Sequence, residues 1–237
     1  MFDITDVIVR FGGLVAVDRV SFKARRDGIF SIIGPNGAGK TTLFAVLSGF
    51  LRPNSGSVHF DGQDITGMPA NQVALRGIAR TFQIARPFRD LTVLDNVMVG
   101  AYARARDYGT AKSIAEEVMH EVGLYPKRDF MASYLNLPEL KRLEVAKALA
   151  TRPTCLLLDE VMAGLNLREQ HDVAGMLEAV HARGVGILLV EHSLAIVQRM
   201  ADHVICLESG RKIAEGTATE VMRSREVQVA YMGVDDE

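Results

Sequence analysis

The chain has few cysteines, no long apolar run and no block of one charge, and each absence removes a class of protein. No stretch approaches the roughly 18 consecutive apolar residues of a membrane-spanning helix, so any work at a membrane is expected to be peripheral. Lysine and arginine number 27 against 29 aspartates and glutamates, intermixed to a net charge of −2, which leaves no basic footprint for nucleic acid or an anionic lipid surface. The only cysteines, Cys155 and Cys206, each sit inside an apolar run; they read as small buried hydrophobes in a reducing compartment, not as a disulfide framework. The N-terminal MFDITDVIVRFG does not read as a secretory signal, so the cytoplasm is the expected compartment. Low-complexity tracts, internal repeats, long heptad runs and an N-K-x-D guanine motif are also missing, and the last of these sets GTP switches aside.

What is present is a chain of 237 residues, long enough for one large α/β domain that buries roughly 70–75% of its unfolded surface. Strands are expected at 3–9, 20–24, 29–33 and 57–60, making the first third β-rich. Apolar spacing turns helical over 93–106 and 111–122, with Gly123 placed as a C-cap, which suggests an inserted helical section. Two short, wholly apolar runs follow, 155–158 and 186–190, with a helix-like segment between them; buried parallel strands joined by a crossover read this way. The tail is expected to hold a strand at 204–207, a turn at Ser209-Gly210, and a capping box, Thr217 with Glu220, before a last short helix.

Gly34-Pro35-Asn36-Gly37-Ala38-Gly39-Lys40-Thr41 fits G-x-x-x-x-G-K-[ST] and directly follows the apolar run IFSIIG, the context that gives this pattern meaning. The glycines let the main chain wrap a polyphosphate, with N–H groups and the positive end of the next helix aimed at its oxygens. Lys40 adds a point charge near the outer phosphates, and the Thr41 hydroxyl suits Mg²⁺, a hard cation that keeps most of its waters. Residues 36–42, Asn36, Gly37, Ala38, Gly39, Lys40, Thr41 and Thr42, are therefore expected at the nucleotide, with ATP and Mg²⁺ as cofactors.

A second motif is CLLLDE, residues 155–160, an apolar run that ends in two carboxylates. Ligands of open α/β sheets sit at the carboxyl ends of strands, and adjacent strand residues face opposite ways, so the two acids can take different tasks. Asp159 is expected to hold Mg²⁺ through a water, and Glu160 to orient and polarise the attacking water.

Four further features line up in order: Phe11 ahead of the phosphate loop, RTFQ with Gln83, AGLN at 163–166, and LLVEHS with His192. Together with the tail DHVICLESGRKIAEGTATEVM, these make the chain resemble, over essentially its whole length, the ATP-binding subunits of ABC transporters. LTVLDNVMVGAYAR, the EVxxAGLN context, VEHS and the terminal Ala230-Tyr231-Met232-Gly233 carry a narrower likeness to the LivG-type subunits of branched-chain amino acid importers. The resemblance implies a P-loop NTPase (RecA-like) core in a single domain, 1–237, with an N-terminal antiparallel β subdomain and a helical subdomain inserted at about 84–140. It also implies that Phe11 stacks on adenine with Val17 nearby, that Gln83 reaches Mg²⁺ or the attacking water, and that His192 contacts the γ-phosphate. For Phe11 a core aromatic, for Gln83 a surface loop residue and for His192 a satisfied core histidine stand as alternatives. The implied partners are a second ABC ATPase subunit, integral membrane permease subunits reached through a groove at 84–106, and, indirectly, an extracytoplasmic solute-binding protein.

In that family a signature of the form L-S-G-G-Q opens the helix before the acidic strand and completes the ATP site of the opposing subunit. Here the stretch reads Leu135-Asn136-Leu137-Pro138-Glu139. Asn136 with Glu139 forms a capping-box pattern, and an apolar face follows through Leu140, Leu143, Ala146 and Leu149. Pro138 offers no N–H, and Glu139 places a negative charge where phosphate would approach. An ordinary helix cap and a degenerate signature are both open readings. Val161-Met162, standing where proline and a small residue are usual, adds to the departure and favours a heterodimer in which only one site is fully competent. Two function classes follow: an ATPase that drives a permease, or a regulatory module that holds nucleotide and hardly hydrolyses it. A soluble ABC-type ATPase of DNA repair or translation lacks support in the charge and the missing heptads.

Overall fold

In the computed structural model residues 1–82 and 86–232 are described; Gln83 and the start of the expected permease groove at Ile84 lie outside the described residues. The chain forms two compact units, one of residues 1–73 and 186–237, the other of residues 74–185.

The first unit opens with β1 (Phe2–Phe11), β2 (Leu14–Ala24), β3 (Ile29–Ile33), α1 (Lys40–Leu47), β4 (Ser55–Phe60) and β5 (Gln63–Asp64), followed by α2 (Ala70–Leu75). The second holds β6 (Ile78–Arg80), α3 (Val93–Ala101), α4 (Tyr108–Glu121), α5 (Leu137–Ala150), β7 (Cys155–Asp159) and α6 (Leu167–Ala182). The first unit is completed by β8 (Gly186–Val190), α7 (Leu194–Met200), β9 (His203–Glu208), β10 (Arg211–Gly216), α8 (Ala218–Arg223) and α9 (Arg225–Met232).

An antiparallel sheet runs in the order β2-β1-β4-β5. Ile4 stands opposite Phe22 on one side and Val58 on the other, and all three are buried, so alternation along β1 delivers one apolar face. β2 begins six residues before the expected strand because Asp18 and Arg19 interrupt its apolar pattern, and Arg19 adopts a positive φ of 52° at an irregularity in the pairing. In the first unit β3 lies between β8 and β9, parallel to both, and β10 closes antiparallel on β9. All five residues of β3 and of β8 are buried, which is why these runs, Ser31 apart, are apolar without alternation. In the second unit β6 and β7 run parallel, with Ile78 opposite Cys155.

Helix starts follow their caps: Thr92, Asp107, Asn136, Asn166 and Thr217 each accept a main-chain N–H three residues on. The helix expected over 93–106 stops at Ala101, because the chain then makes tight turns and Arg104 Nε donates to the Thr151 carbonyl, 2.9 Å away. α4 starts earlier than the apolar spacing suggested, at the Asp107 cap, and Gly123 follows its end with φ 72°. The single last helix is two, α8 and α9, separated by Ser224 in an extended conformation.

Candidate nucleotide-binding site

The phosphate loop leaves the end of β3 and runs into α1. Gly39 is the N-cap of α1 at φ 99°, and no side chain caps this helix. A Cβ on Gly39 would lie 2.4 Å from the Ala16 carbonyl oxygen, and one on Gly34, at φ 145°, would lie 2.1 Å from the Leu207 carbonyl oxygen. Both positions therefore exclude every other residue on conformation and on space. The N–H groups at the start of an α-helix have no partner within it, and here the cap residue is a glycine with no side chain to take one. Lys40 is buried, and its ammonium donates to the Gly34 carbonyl at 2.7 Å and the Pro35 carbonyl at 2.9 Å, which holds a cation against the loop. Asn36, Gly37 and Thr41 are exposed, Ala38 is buried, and Thr42 is half-buried. Such an array can bind a polyanion through main-chain amides, a helix dipole and one ammonium.

In the second unit β7 delivers its acids as expected at its carboxyl end. Asp159 is 2% exposed, and Arg80 Nη2 contacts its Oδ2 at 2.8 Å. Its other oxygen, Oδ1, is buried with no hydrogen-bond partner among the described residues. An orphaned carboxylate oxygen is the donor type a hard divalent cation requires, so Asp159 fits a magnesium ligand. Glu160 is also buried and sits in the left-handed region at φ 49°, while its carbonyl accepts from the buried Lys141 ammonium at 3.1 Å. The turn that follows brings Gly164 against the Leu137 side chain.

The start of α5 differs from that of α1. Asn136 Oδ1 accepts the Glu139 N–H at 3.0 Å, Glu139 Oε2 accepts the Asn136 N–H at 3.1 Å, and the Leu140 N–H donates to the Asn136 carbonyl at 2.9 Å. Pro138 has no N–H, and the Glu139 and Leu140 donors are already committed to Asn136. The expected repulsion from Glu139 needs correction, because Lys127 Nζ lies 2.5 Å from its Oε1 and offsets the charge. The apolar-stripe expectation is also too narrow: α5 buries Lys141 and Glu144 as well as Leu143, Ala146 and Leu149.

Phe11, at the end of β1, is 51% exposed, so its ring offers a stacking surface and is no core aromatic. Val17 is wholly buried, and its side chain as placed packs in the core and offers no surface to a base. His192, two residues past β8, is exposed and is not a core histidine. Val161 and Met162 are buried. Three residues to which the motifs assigned no task now stand out: Arg80, the first letter of RTFQ; Lys141, which a helix position alone presents as a solvated charge; and Tyr231 in the terminal motif.

A glycine-framed anion loop at a helix start and an apolar strand ending in Asp-Glu are the features of a P-loop nucleotide-binding domain. Residues 17–163 match the ABC transporter family, and residues 211–237 match the family described as Branched-chain amino acid ATP-binding cassette transporter. The chain belongs to the ABC transporter family as an ATP-binding subunit of the branched-chain amino acid importer group, a family of ATPases. It is 34% identical over 249 residues to the high-affinity branched-chain amino acid transport ATP-binding protein BraF of Pseudomonas aeruginosa, covering 98% of each chain. To the corresponding LivG of Salmonella typhimurium it is 35% identical over 246 residues, covering 97% of this chain and 96% of the relative. Its fold is similar to the crystal structure of an ABC transporter ATP-binding cassette in its ADP conformation, with 29% identity, a TM-score of 0.91 and 99% of both chains covered. The architecture is thus a P-loop NTPase fold with an N-terminal antiparallel sheet.

Proposed function

We propose that this chain is the Mg²⁺-dependent ATP-hydrolysing subunit of an importer of branched-chain or other hydrophobic amino acids. Supporting this above all is the start of α1: an uncapped helix end framed by Gly34 and Gly39, with Lys40 buried at the loop. Asn36 to Thr42 bind the phosphates, and Phe11 stacks on the base beside the main chain at Val17. Thr41 would offer its hydroxyl to Mg²⁺ and Asp159 would hold it through a water, while Gln83 would reach the same ion or the attacking water. Magnesium, when bound, neutralises charge on the phosphates. Glu160 orients and polarises the attacking water, and His192 contacts the γ-phosphate.

No helix among the described residues is long and apolar enough to cross a membrane, so we place the chain peripherally, at the cytoplasmic face of permease subunits. We read it as one ATPase domain, 1–237, with a helical subdomain inserted at about 84–140 that receives the permease. The spent donors of α5 favour a heterodimer, in which a partner with an intact signature completes the site on this chain's phosphate loop.

The test is Glu160→Gln with MgATP. ATP binding is retained, turnover is lost, and a closed dimer with the partner subunit accumulates on size exclusion; normal turnover in that variant removes the assignment. The same observation on α5 supports a second reading, a regulatory subunit that holds ATP with little hydrolysis. That reading fails if the purified chain, alone or with its partner, shows ATPase activity that Lys40→Ala abolishes.

A further inference from the structure

The last described helix reaches the first residue of the phosphate loop. Tyr231 Oη accepts the Gly34 N–H at 2.8 Å, across 197 residues of sequence. Gly34 is buried where β3 has ended, so its N–H needs a partner there, and an unsatisfied one is costly. The carbonyl of the same residue accepts from Lys40 Nζ at 2.7 Å. The Gly34 peptide groups are thus held from two directions, by a tyrosine hydroxyl at the N–H and by the Lys40 ammonium at the C=O, and the Leu207 carbonyl leaves no room for a Cβ there.

The tyrosine is itself well seated. Its ring packs with a cluster made of Ile33, Val197, Val204, Cys206, Val221 and Val227. Residues 211–237, which include Tyr231, are the stretch that matches the branched-chain group's own family.

We propose that Tyr231 is a positioning residue for the phosphate loop: through its hydroxyl the C-terminal helix fixes Gly34, and with it the anchor of Lys40, so that the tail sets affinity for the triphosphate. This rests on reading the loop as the ATP site. Burial pushes the Tyr231 hydroxyl up to about 12, against the lowering effect of the Gly34 N–H, so it stays neutral and keeps accepting at every pH at which the protein is assayed.

The experiment is calorimetric titration of the full chain, wild type and Tyr231→Phe, with MgATP and separately with adenosine. The expected result is a Kd for MgATP raised about three- to tenfold, the worth of one hydrogen bond, with the Kd for adenosine unchanged. The KM for ATP rises by the same factor and kcat stays within twofold. Hydrogen exchange supplies the second measurement: the Gly34 amide exchanges faster in Tyr231→Phe, while the amides of β3 keep their protection. An unchanged MgATP Kd overturns the proposal, as does an equal weakening for adenosine or an unchanged Gly34 exchange rate. Failure of wild type to bind MgATP overturns the ATP-site reading first, and this inference with it.

Discussion

Replacing Arg80 by methionine separates what the Arg80–Asp159 pair does for the fold from the metal-holding role proposed for Asp159. The two side chains are 7% and 3% exposed, and their ion pair is 2.8 Å long. A buried pair gains little over apolar residues of the same volume, because desolvation offsets most of the attraction. Removing one member is another matter, since the remaining charge has neither water nor partner, and the loss is then about 3–5 kcal/mol. Among the described residues the Asp159 Oδ1 has no hydrogen-bond partner, and its Oδ2 has the Arg80 guanidinium. For a chain of this size each kcal/mol moves the melting midpoint by about 2–4 °C, so Arg80→Met lowers it by roughly 6–20 °C.

Urea unfolding followed by far-ultraviolet dichroism gives the free energy directly. The double variant Arg80→Met with Asp159→Asn recovers most of the loss, because it leaves no stranded charge, and the interaction energy from the cycle isolates the pair. A loss below about 1 kcal/mol in Arg80→Met would refute the reasoning, and so would a double variant as unstable as the single one.

Gly39→Ala sets a Cβ at φ 99° and 2.4 Å from a main-chain oxygen, so it weakens MgATP binding at least tenfold in calorimetry; retained affinity would show that the loop tolerates a different path. Lys141→Met frees the Glu160 carbonyl now held at 3.1 Å, and steady-state assays with the partner subunit are expected to give about a tenfold lower kcat at unchanged KM, partly restored by Lys141→Arg. An equal rise in KM would mean that Lys141 serves binding instead. Returning Asn136, Leu137, Pro138 and Glu139 to Ser, Gly, Gly and Gln in a Glu160→Gln background should let the chain self-associate with MgATP on size exclusion. If it stays monomeric, the heterodimer preference has some cause other than α5.

The motif-bearing parts of this fold were readable because local chemistry dictates them. Gly34 and Gly39 have no alternative residue, and β3, β7 and β8, apart from Ser31 and Asp159, are apolar because both faces are covered. The edges were less legible. Arg19 at positive φ hides the first half of β2, and Ser224 divides what reads as one terminal helix. Long-range partnerships left no local trace at all. Arg80 and Asp159 stand 79 residues apart, and Tyr231 and Gly34 stand 197 apart, so no window of sequence could pair them. A buried lysine such as Lys141 is likewise indistinguishable in sequence from a solvated one, since the carbonyl that compensates it comes from another element.

The two helix starts in this chain answer the same requirement in opposite ways. Every α-helix begins with N–H groups that its own ladder cannot pair, and a protein either covers them or leaves them for an anion. At α1 the cap is a glycine in the left-handed region, which has no side chain to bond back, and Lys40 adds charge of the right sign. At α5 Asn136 and Glu139 close on each other, Pro138 deletes one donor, and Lys127 offsets the remaining negative charge. The cap at α5 favours the helix by about 1 kcal/mol and Pro138 begins it without penalty, so the changes that stabilise the isolated helix are those that remove its capacity for phosphate. Helix stability and anion binding draw on the same few amides, and at α5 the capping box has taken them. In the heterodimer proposed above, the partner's signature would be the one that leaves its amides open to the phosphate loop of this chain.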